Sequence, residues 1–472
     1  MIIPLAILGI LSFAGPNTWL ALYACLVLGV GVALLRRPGE PPILLFIFLY
    51  QWIEAAIGPF YGNLLGDPLD ALVTNVGQDQ LADFLQLTSL LVLAVGIRLA
   101  AGRSIPGLFP RVQAFVAARP LHFWLWIFLG AWIFSAACEA LAWHSGGLEQ
   151  VLLVFADVKW AAFVLLTLAT FAVPGRKKTI WTTVFVIQFV LSIGGFFSTF
   201  KDVFFYALIG LAASNVRLKK RVILPGALLA AALLFLGIAW SAIKGEYRTF
   251  VNGGTGQQVV LVGYSDRIAE LAHLAFSLDA HALADGADAL VRRLMYFNYF
   301  GVVLDRVPSD LPYAGGHLWG DSVLRSLMPR LLFPNKSAVN DSALTNHYTG
   351  LRVASYQQGT SISMGYMAEA YIDFGPILMF VLIAALGLFL GYFYRWLIVR
   401  PGMDAVLGVV LAPFALMPAS ALETSVLKLI PALILSIIPC WVVLKVLGPR
   451  LLGLRRMGRA YPVIRPVGPV GV

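Results

Sequence analysis

Charge is scarce in this chain: Asp, Glu, Lys and Arg make up 12% of its 472 residues, against 60% hydrophobic, and the mean hydropathy is +0.84. That balance excludes a soluble globular domain. Apolar runs recur at about the 20 residues an α-helix needs to cross a hydrocarbon layer of about 30 Å, so the chain reads as a polytopic membrane protein. Cysteine is scarcer still. Cys25, Cys138 and Cys440 all fall in apolar runs, which excludes a disulfide framework and a cysteine metal site. The chain lacks a Walker A loop, GxSxG, HExxH and any Cys/His metal spacing, so an ATP-driven pump and a metalloprotease are excluded. The aspartates of the 61–80 loop, Asp67, Asp70 and Asp79, are too scattered to read as a metal pair. The opening MIIPLAILGILSFAG has no basic n-region of a cleavable signal peptide. Internal repeats, heptads and low-complexity tracts are also missing.

What is present is a ladder of twelve apolar spans. They are expected near 2–14, 18–35, 43–60, 81–101, 121–143, 153–173, 180–198, 201–216, 222–243, 362–394, 403–421 and 427–447. The first is short, and the tenth is long enough for its start to reach beyond the hydrocarbon. The net charge of +10 invites a nucleic-acid reading, but its distribution opposes one. The connections Arg36–Arg37, Arg98–Arg119, Arg176–Lys178, Arg217–Arg221 and Arg395–Arg400 and the tail Lys445–Arg465 hold 21 basic residues against two acids, Glu40 and Asp404. The alternate side carries ten acids and ten bases in 244–360. The positive-inside rule then sets both termini in the cytoplasm and 244–361 outside, so the basic excess is a topology signal and no nucleic-acid partner is expected.

The expected organisation is nine spans over 1–243, a large external (periplasmic) loop over 244–361, three spans over 362–448 and a cytoplasmic tail over 449–472. A structureless insert of that length is uncommon, so the loop is expected to fold. Apolar residues at helical spacing predict helix over Asp266–Leu290 and Ala289–Leu304; Asp321 is expected to cap a short helix Ser322–Met328, ended by Pro329. Phe333–Gln358 reads as loop. The tail RAYPVIRPVGPVGV is Pro/Gly/Val-rich and is expected to be unstructured.

The loop's charges carry the candidate chemistry. Its cations include Lys244, Arg248, Arg267, Arg292, Arg293 and Arg306, with His273, His281, His317 and His347. Singly, such charges are ordinarily solvated and paired with acids. Residues 325–352 differ, because Arg325, Arg330, Lys336 and Arg352 face one acid, Asp341. Guanidinium forks match phosphate bidentately and keep their charge, which suits a lipid pyrophosphate at the membrane surface. In GTSISMGYMAEAYIDFG (359–375), Glu369 and Asp373 stand at i and i+4 on one helical face, with Tyr366 a turn earlier. Acids at a membrane boundary are site candidates unless paired, and a structural salt bridge to a loop arginine stays open beside that. In GGFFSTFKD (194–202), Lys201 and Asp202 occupy a sharp external turn, with interfacial snorkelling as the alternative. Glu54, Glu139 and Lys428 read as snorkelling charges near outer span ends.

Three stretches, FSTFKDVFFYALIG (197–210), MPRLLFPNKS (328–337) and GTSISMGYMAEAYIDFGPI (359–377), follow one another in an order and topology that resemble the O-antigen polymerase type of oligosaccharide repeat-unit polymerase, and more broadly the O-antigen polymerase/ligase superfamily. The turn departs from the family's commoner Gly-Ser-Arg/Lys-Gly pattern, reading Thr199-Phe200-Lys201-Asp202. The resemblance implies an all-α polytopic membrane protein, glycosyltransferase C-like, with about 12 transmembrane helices and one large external loop. It implies a glycosyltransferase of polysaccharide biosynthesis that polymerises repeat units of a surface polysaccharide or exopolysaccharide on the outer face of the bacterial inner membrane. The donor would be a glycan on a polyprenyl pyrophosphate, undecaprenyl pyrophosphate in type. Cations neutralise that leaving group, so the reaction is expected to be metal-independent and without cofactor. Arg330, Lys336 and Arg325 are the expected cradle, with Arg248, Arg352 and Lys201 behind them; Glu369 or His347 takes the acceptor's proton, and Tyr366 and Asp373 are secondary. Membrane lipid, a chain-length regulator and a flippase are the implied partners.

Two other readings stand beside this one. An O-antigen ligase-like transferase shares the same machinery. A flippase or transporter of lipid-linked glycan is the different class, and it is expected to show broken helices with polar residues at mid-membrane.

Overall fold

The computed structural model describes residues 14–142, 144–193, 200–215, 220–256, 259–328, 330, 332–333, 335–336, 340–353, 361–399 and 404–451. Among these residues every regular element is helical. The helices are α1 (Thr18–Leu35), α2 (Ile43–Leu65), α3 (Asp79–Ala101), α4 (Leu108–Ala117), α5 (Leu121–Ala142), α6 (Glu149–Ala156), α7 (Val158–Phe171), α8 (Thr179–Ser192) and α9 (Phe200–Ala213), followed by α10 (Lys220–Val251). Five helices then form the polar segment: α11 (Tyr264–Phe276), α12 (Ala280–Leu294), α13 (Phe297–Arg306), α14 (His317–Ser326) and α15 (Asp341–Thr349). The chain ends in α16 (Tyr366–Ile398), α17 (Asp404–Leu416) and α18 (Val426–Val442).

Among the described residues seven helical stretches are long and apolar enough to cross a membrane: Thr18–Leu35, Ile43–Leu65, Asp79–Ala101, Leu121–Ala142, Gly146–Phe171, Tyr366–Ile398 and Val426–Arg450. Thr179–Ser192 and Ala405–Ser420 are shorter apolar helices. Of the remaining expected spans, 201–216 is the 14-residue α9, 222–243 lies within the 32-residue α10, and 2–13 and the tail from 452 lie outside the described residues. The third long span starts at Asp79 rather than 81, which moves Asp79 from a loop onto the same helix as Asp83.

The most extensive helix pairing joins α3 to α16. Its cause is legible in small residues. A Cβ on Gly387 would stand 2.6 Å from the Leu93 carbonyl, one on Gly391 2.4 Å from the Ile97 carbonyl, and one on Gly96 2.8 Å from the Ala384 carbonyl. Gly387 and Gly391 form a small-xxx-small pair, the pattern that lets membrane helices close to backbone contact where lipid supplies no hydrophobic drive.

One apolar helix is interrupted and one connection between helices is irregular. Within α16, Gly375 adopts φ 75° and ψ −172° just before Pro376, so 366–374 is a separate short helix carrying Glu369 and Asp373. Proline removes a backbone donor and clashes with the preceding turn, and the positive φ suits glycine alone. Between α17 and α18 the chain passes through a 3₁₀ turn, Met417–Ser420, an extended Ala421, a turn at Leu422–Glu423 and an extended Ser425.

None of α11–α15 is among the candidate spans. They pack on the bundle: α12 against α10 and α2, α13 against α3, α14 against α18 and α16, and α15 against α13. Phe297, Phe300, Trp319 and Tyr366 belong to the same buried apolar cluster as the spans. Two local expectations change. Asp321 lies inside α14, which starts at His317. Residues 341–349 are helix where loop was expected, with the Asn340 side chain accepting from Ala343 N and Gly350 closing the end at φ 70°.

Candidate functional site

The cation pocket is built on α14. Asp373 receives Leu318 N at 3.0 Å and Trp319 N at 2.9 Å, so a carboxylate from another helix caps α14. Ser322 Oγ donates to the Val426 carbonyl at 2.6 Å and seats the helix on α18. Asp321, Leu324, Arg325 and Met328 then form one wall of a pocket of about 550 Å³, and Leu332, Phe333, Asn335 and Lys336 the other. Lys336 Nζ donates to the carbonyls of Arg325 (2.5 Å) and Met328 (3.1 Å), at the negative end of the helix dipole. Burial, then the guanidinium groups of Arg325 and Arg330, hold its pKa below the ordinary lysine value. The three predicted cradle cations therefore share one neighbourhood. Arg330 is half-buried, and its Nε has no hydrogen-bond partner among the described residues. Leu324 and Leu332 are exposed beside them, so the pocket joins cations to an apolar rim. Asp341, the acid expected to face these cations, is buried and bonded instead to Lys428 at 2.7 Å, with Ser361 completing the group.

The buried carboxylates serve the interrupted backbone. Glu369, 1% exposed, accepts Val426 N at 2.5 Å through Oε2, and its Oε1 has no partner among the described residues. Glu54 accepts Leu422 N at 2.6 Å. Gln51 donates to the Ala419 carbonyl and receives the Tyr366 hydroxyl at 2.7 Å. Glu369 and Asp373 thus bond backbone amides, and no loop arginine pairs with either among the described residues. Non-helical backbone within a bundle must have its polar groups satisfied by protein, and these side chains do so. The snorkelling reading fails for Glu54, which is buried, and for Lys428, which is ion-paired; Glu139 pairs with Lys159 at 3.0 Å.

The outlying predicted cations fall elsewhere. Arg248 lies within electrostatic reach of Lys244 and Arg293, and Arg293 is 3.9 Å from Glu423. Arg293 and the exposed Lys201 both act on Glu54, so Arg248 and Lys201 border a mixed-charge cluster among residues of α2, α9, α10 and α12. Arg352 is exposed, and His347 is exposed on α15, its ring 4.8 Å from that of Tyr348. Arg293 was visible in the sequence as a loop cation, but its partner Glu423 was not. No local motif marks them, since they meet only through tertiary packing. Among the described residues no group of three or more His, Cys, Asp or Glu side chains is arranged to hold a metal.

A family profile described as a domain of unknown function, DUF8712, matches residues 116–396, more than half of the chain, from the end of α4 to the last turn of α16. The match takes in every cation of the pocket. No curated protein and no solved structure matches the chain.

Proposed function

The chain belongs to the DUF8712 family, a domain of unknown function, and from its cation pocket we propose a membrane glycosyltransferase acting on polyprenyl-pyrophosphate-linked glycan. The observation that carries this reading is a pocket of about 550 Å³ that joins Arg325 and Lys336 to an apolar rim, with Arg330 close enough to act on the Lys336 charge. An anionic amphiphile fits such a pocket: the pyrophosphate takes the cations, and the first isoprene units lie against Leu324, Leu332 and Phe333. Neutralising the leaving pyrophosphate lowers the barrier to breaking the C1–O bond of the donor sugar. His347, exposed on α15, takes the proton from the attacking hydroxyl, because the Glu369 carboxylate is turned onto the Val426 amide. In this reading twelve spans hold both termini in the cytoplasm of a bacterial inner membrane, 244–361 lies outside, and the product is a polymer of repeat units.

The direct test is purified protein in proteoliposomes with lipid-linked repeat units and excess chelator, products being sized by gel. Polymer ladders support the reading; unreacted donor in protein that is folded by thermal melt counts against it.

A second reading, translocation of lipid-linked glycan, is favoured by the interrupted helix at Gly375–Pro376 and the irregular connection Met417–Ser425, which carry or contact buried polar groups. A fluorescent lipid-linked glycan that becomes accessible across the bilayer without chain growth selects it.

A further inference from the structure

A column of polar side chains runs through α3, apart from the cation pocket. Asp79, Asp83, Gln86 and Ser89 are spaced by four, three and three residues and so share one helical face. They are 1%, 0%, 2% and 0% exposed. Both carboxyl oxygens of Asp83, Oε1 of Gln86, Oγ of Ser89 and Oδ1 of Asp79 have no hydrogen-bond partner among the described residues. The second oxygen of Asp79 accepts Gly77 N at 3.0 Å, and Gly301 of α13 lies so close that a Cβ there would stand 2.5 Å from Asp79 Oδ1.

The elements packed on α3 supply no counter-charge to Asp83. Helix α1 has no charged residue, and its Tyr23 hydroxyl is bonded to Thr88. Glu54 of α2 and Glu369 and Asp373 of α16 bond backbone amides. Arg306 of α13 bonds Asp310 and the His347 carbonyl, and Arg395 of α16 reaches the Ala101 carbonyl at the far end of α3. Asp70 and Asp305 are exposed and act on Asp79. A bare carboxylate buried without a cation is prohibitively costly, so a positive species must accompany Asp83. With no side chain to supply it and no cluster of metal-ligating residues around it among the described residues, a proton answers the requirement.

We propose that Asp83 is a proton-binding site within the membrane bundle, reached from the N-terminal end of α3 past Asp79, with Gln86 and Ser89 extending the polar column about 9 Å deeper. A proton from water adds to one Oδ of Asp83, the neutral acid donates to the Gln86 carbonyl one turn on, and release returns the same proton. Asp70 and Asp305 form an acidic mouth that draws protons toward Asp79. The site lies on a helix of the α3–α16 seam, so loading and unloading it changes a charge on the most extensive helix pairing among the described residues.

The test uses the full chain in lipid nanodiscs. The wild-type minus Asp83→Asn infrared difference spectrum at neutral pH is expected to contain the carbonyl stretch of a protonated carboxyl, shifted in D₂O, and the wild-type minus Asp79→Asn spectrum to lack it. Carbodiimide labelling read by peptide mass spectrometry needs no variant, and it is expected to modify Asp83 in the wild-type protein but leave the exposed Asp305 unmodified. Absence of both the band and the adduct overturns the proposal. So does an adduct that sodium chloride prevents and potassium chloride does not, which would make Asp83 the ligand of a small cation.

Discussion

Lys336 holds two carbonyls at the end of α14 while two guanidinium groups press on its charge. Because its pKa lies below the ordinary lysine value, the folded chain sheds that proton at a lower pH than the unfolded chain. In the window between the two values the unfolded state binds more protons, so this group makes stability rise with pH. Anion binding moves the opposite way, since a bound pyrophosphate needs the ammonium. Affinity for polyprenyl pyrophosphate, followed by calorimetry, is expected to decline as pH climbs toward the ordinary lysine range and to stay level in Lys336→Arg. The two base candidates separate in the same terms. Glu369→Gln keeps an acceptor for Val426 N and is expected to leave fold and turnover near wild type, whereas His347→Gln is expected to lower turnover about 10²–10⁴-fold. Steady-state polymer yield per folded molecule checks both, and the opposite ranking returns the role to Glu369. The pocket cations were legible because 325–352 is poor in acids. The partner of Asp341 was not, because Lys428 lies 87 residues away and only packing brings it close.

At the scale of elements, α14 depends on a cap borrowed from α16. Asp373→Ala leaves the Leu318 and Trp319 amides without their acceptor, a loss of about 0.5–2 kcal/mol for a cap. Its expected signature is weaker pyrophosphate binding with Arg325 and Lys336 intact, and Asp373→Asn, which retains an oxygen acceptor, is expected to recover part of it. The α3–α16 seam is the stability counterpart. Gly391→Leu places a side chain where a Cβ alone meets the Ile97 carbonyl at 2.4 Å, and overpacking of this kind costs about 1–3 kcal/mol. Its melting temperature in detergent is expected to fall well below that of an exposed control such as Leu388→Ala. Long apolar helices were readable because hydropathy alone defines them. Helix α15 was not, since its buried residues Asp341, Ser342, Thr345 and Thr349 are polar and give no apolar period, although Asn340 and Gly350 bracket it as cap residues. The connection between the last two spans was expected at 422–426, but its start at Met417 was not legible, because Gln51 and Glu54 satisfy it from a helix more than 360 residues earlier in the chain.

For the molecule as a whole, the account joins a helical bundle to a polar segment packed on one end of it. Reporter fusions or cysteine accessibility are expected to locate 280–340 outside and both termini inside, as the basic connections require. A cytoplasmic signal from 280–340 would put the pocket on the wrong side for a glycan already exported. The central claim is narrower than topology: Arg325, Arg330 and Lys336 bind the pyrophosphate of a lipid-linked glycan. Equilibrium binding of undecaprenyl pyrophosphate to folded wild type, Arg330→Ala and Arg330→Lys in nanodiscs tests it directly. A lost charge-assisted fork is worth about 1.5–3 kcal/mol, so Arg330→Ala is expected to weaken binding at least tenfold, with Arg330→Lys recovering only part of it. Equal affinity across the three proteins would contradict the claim.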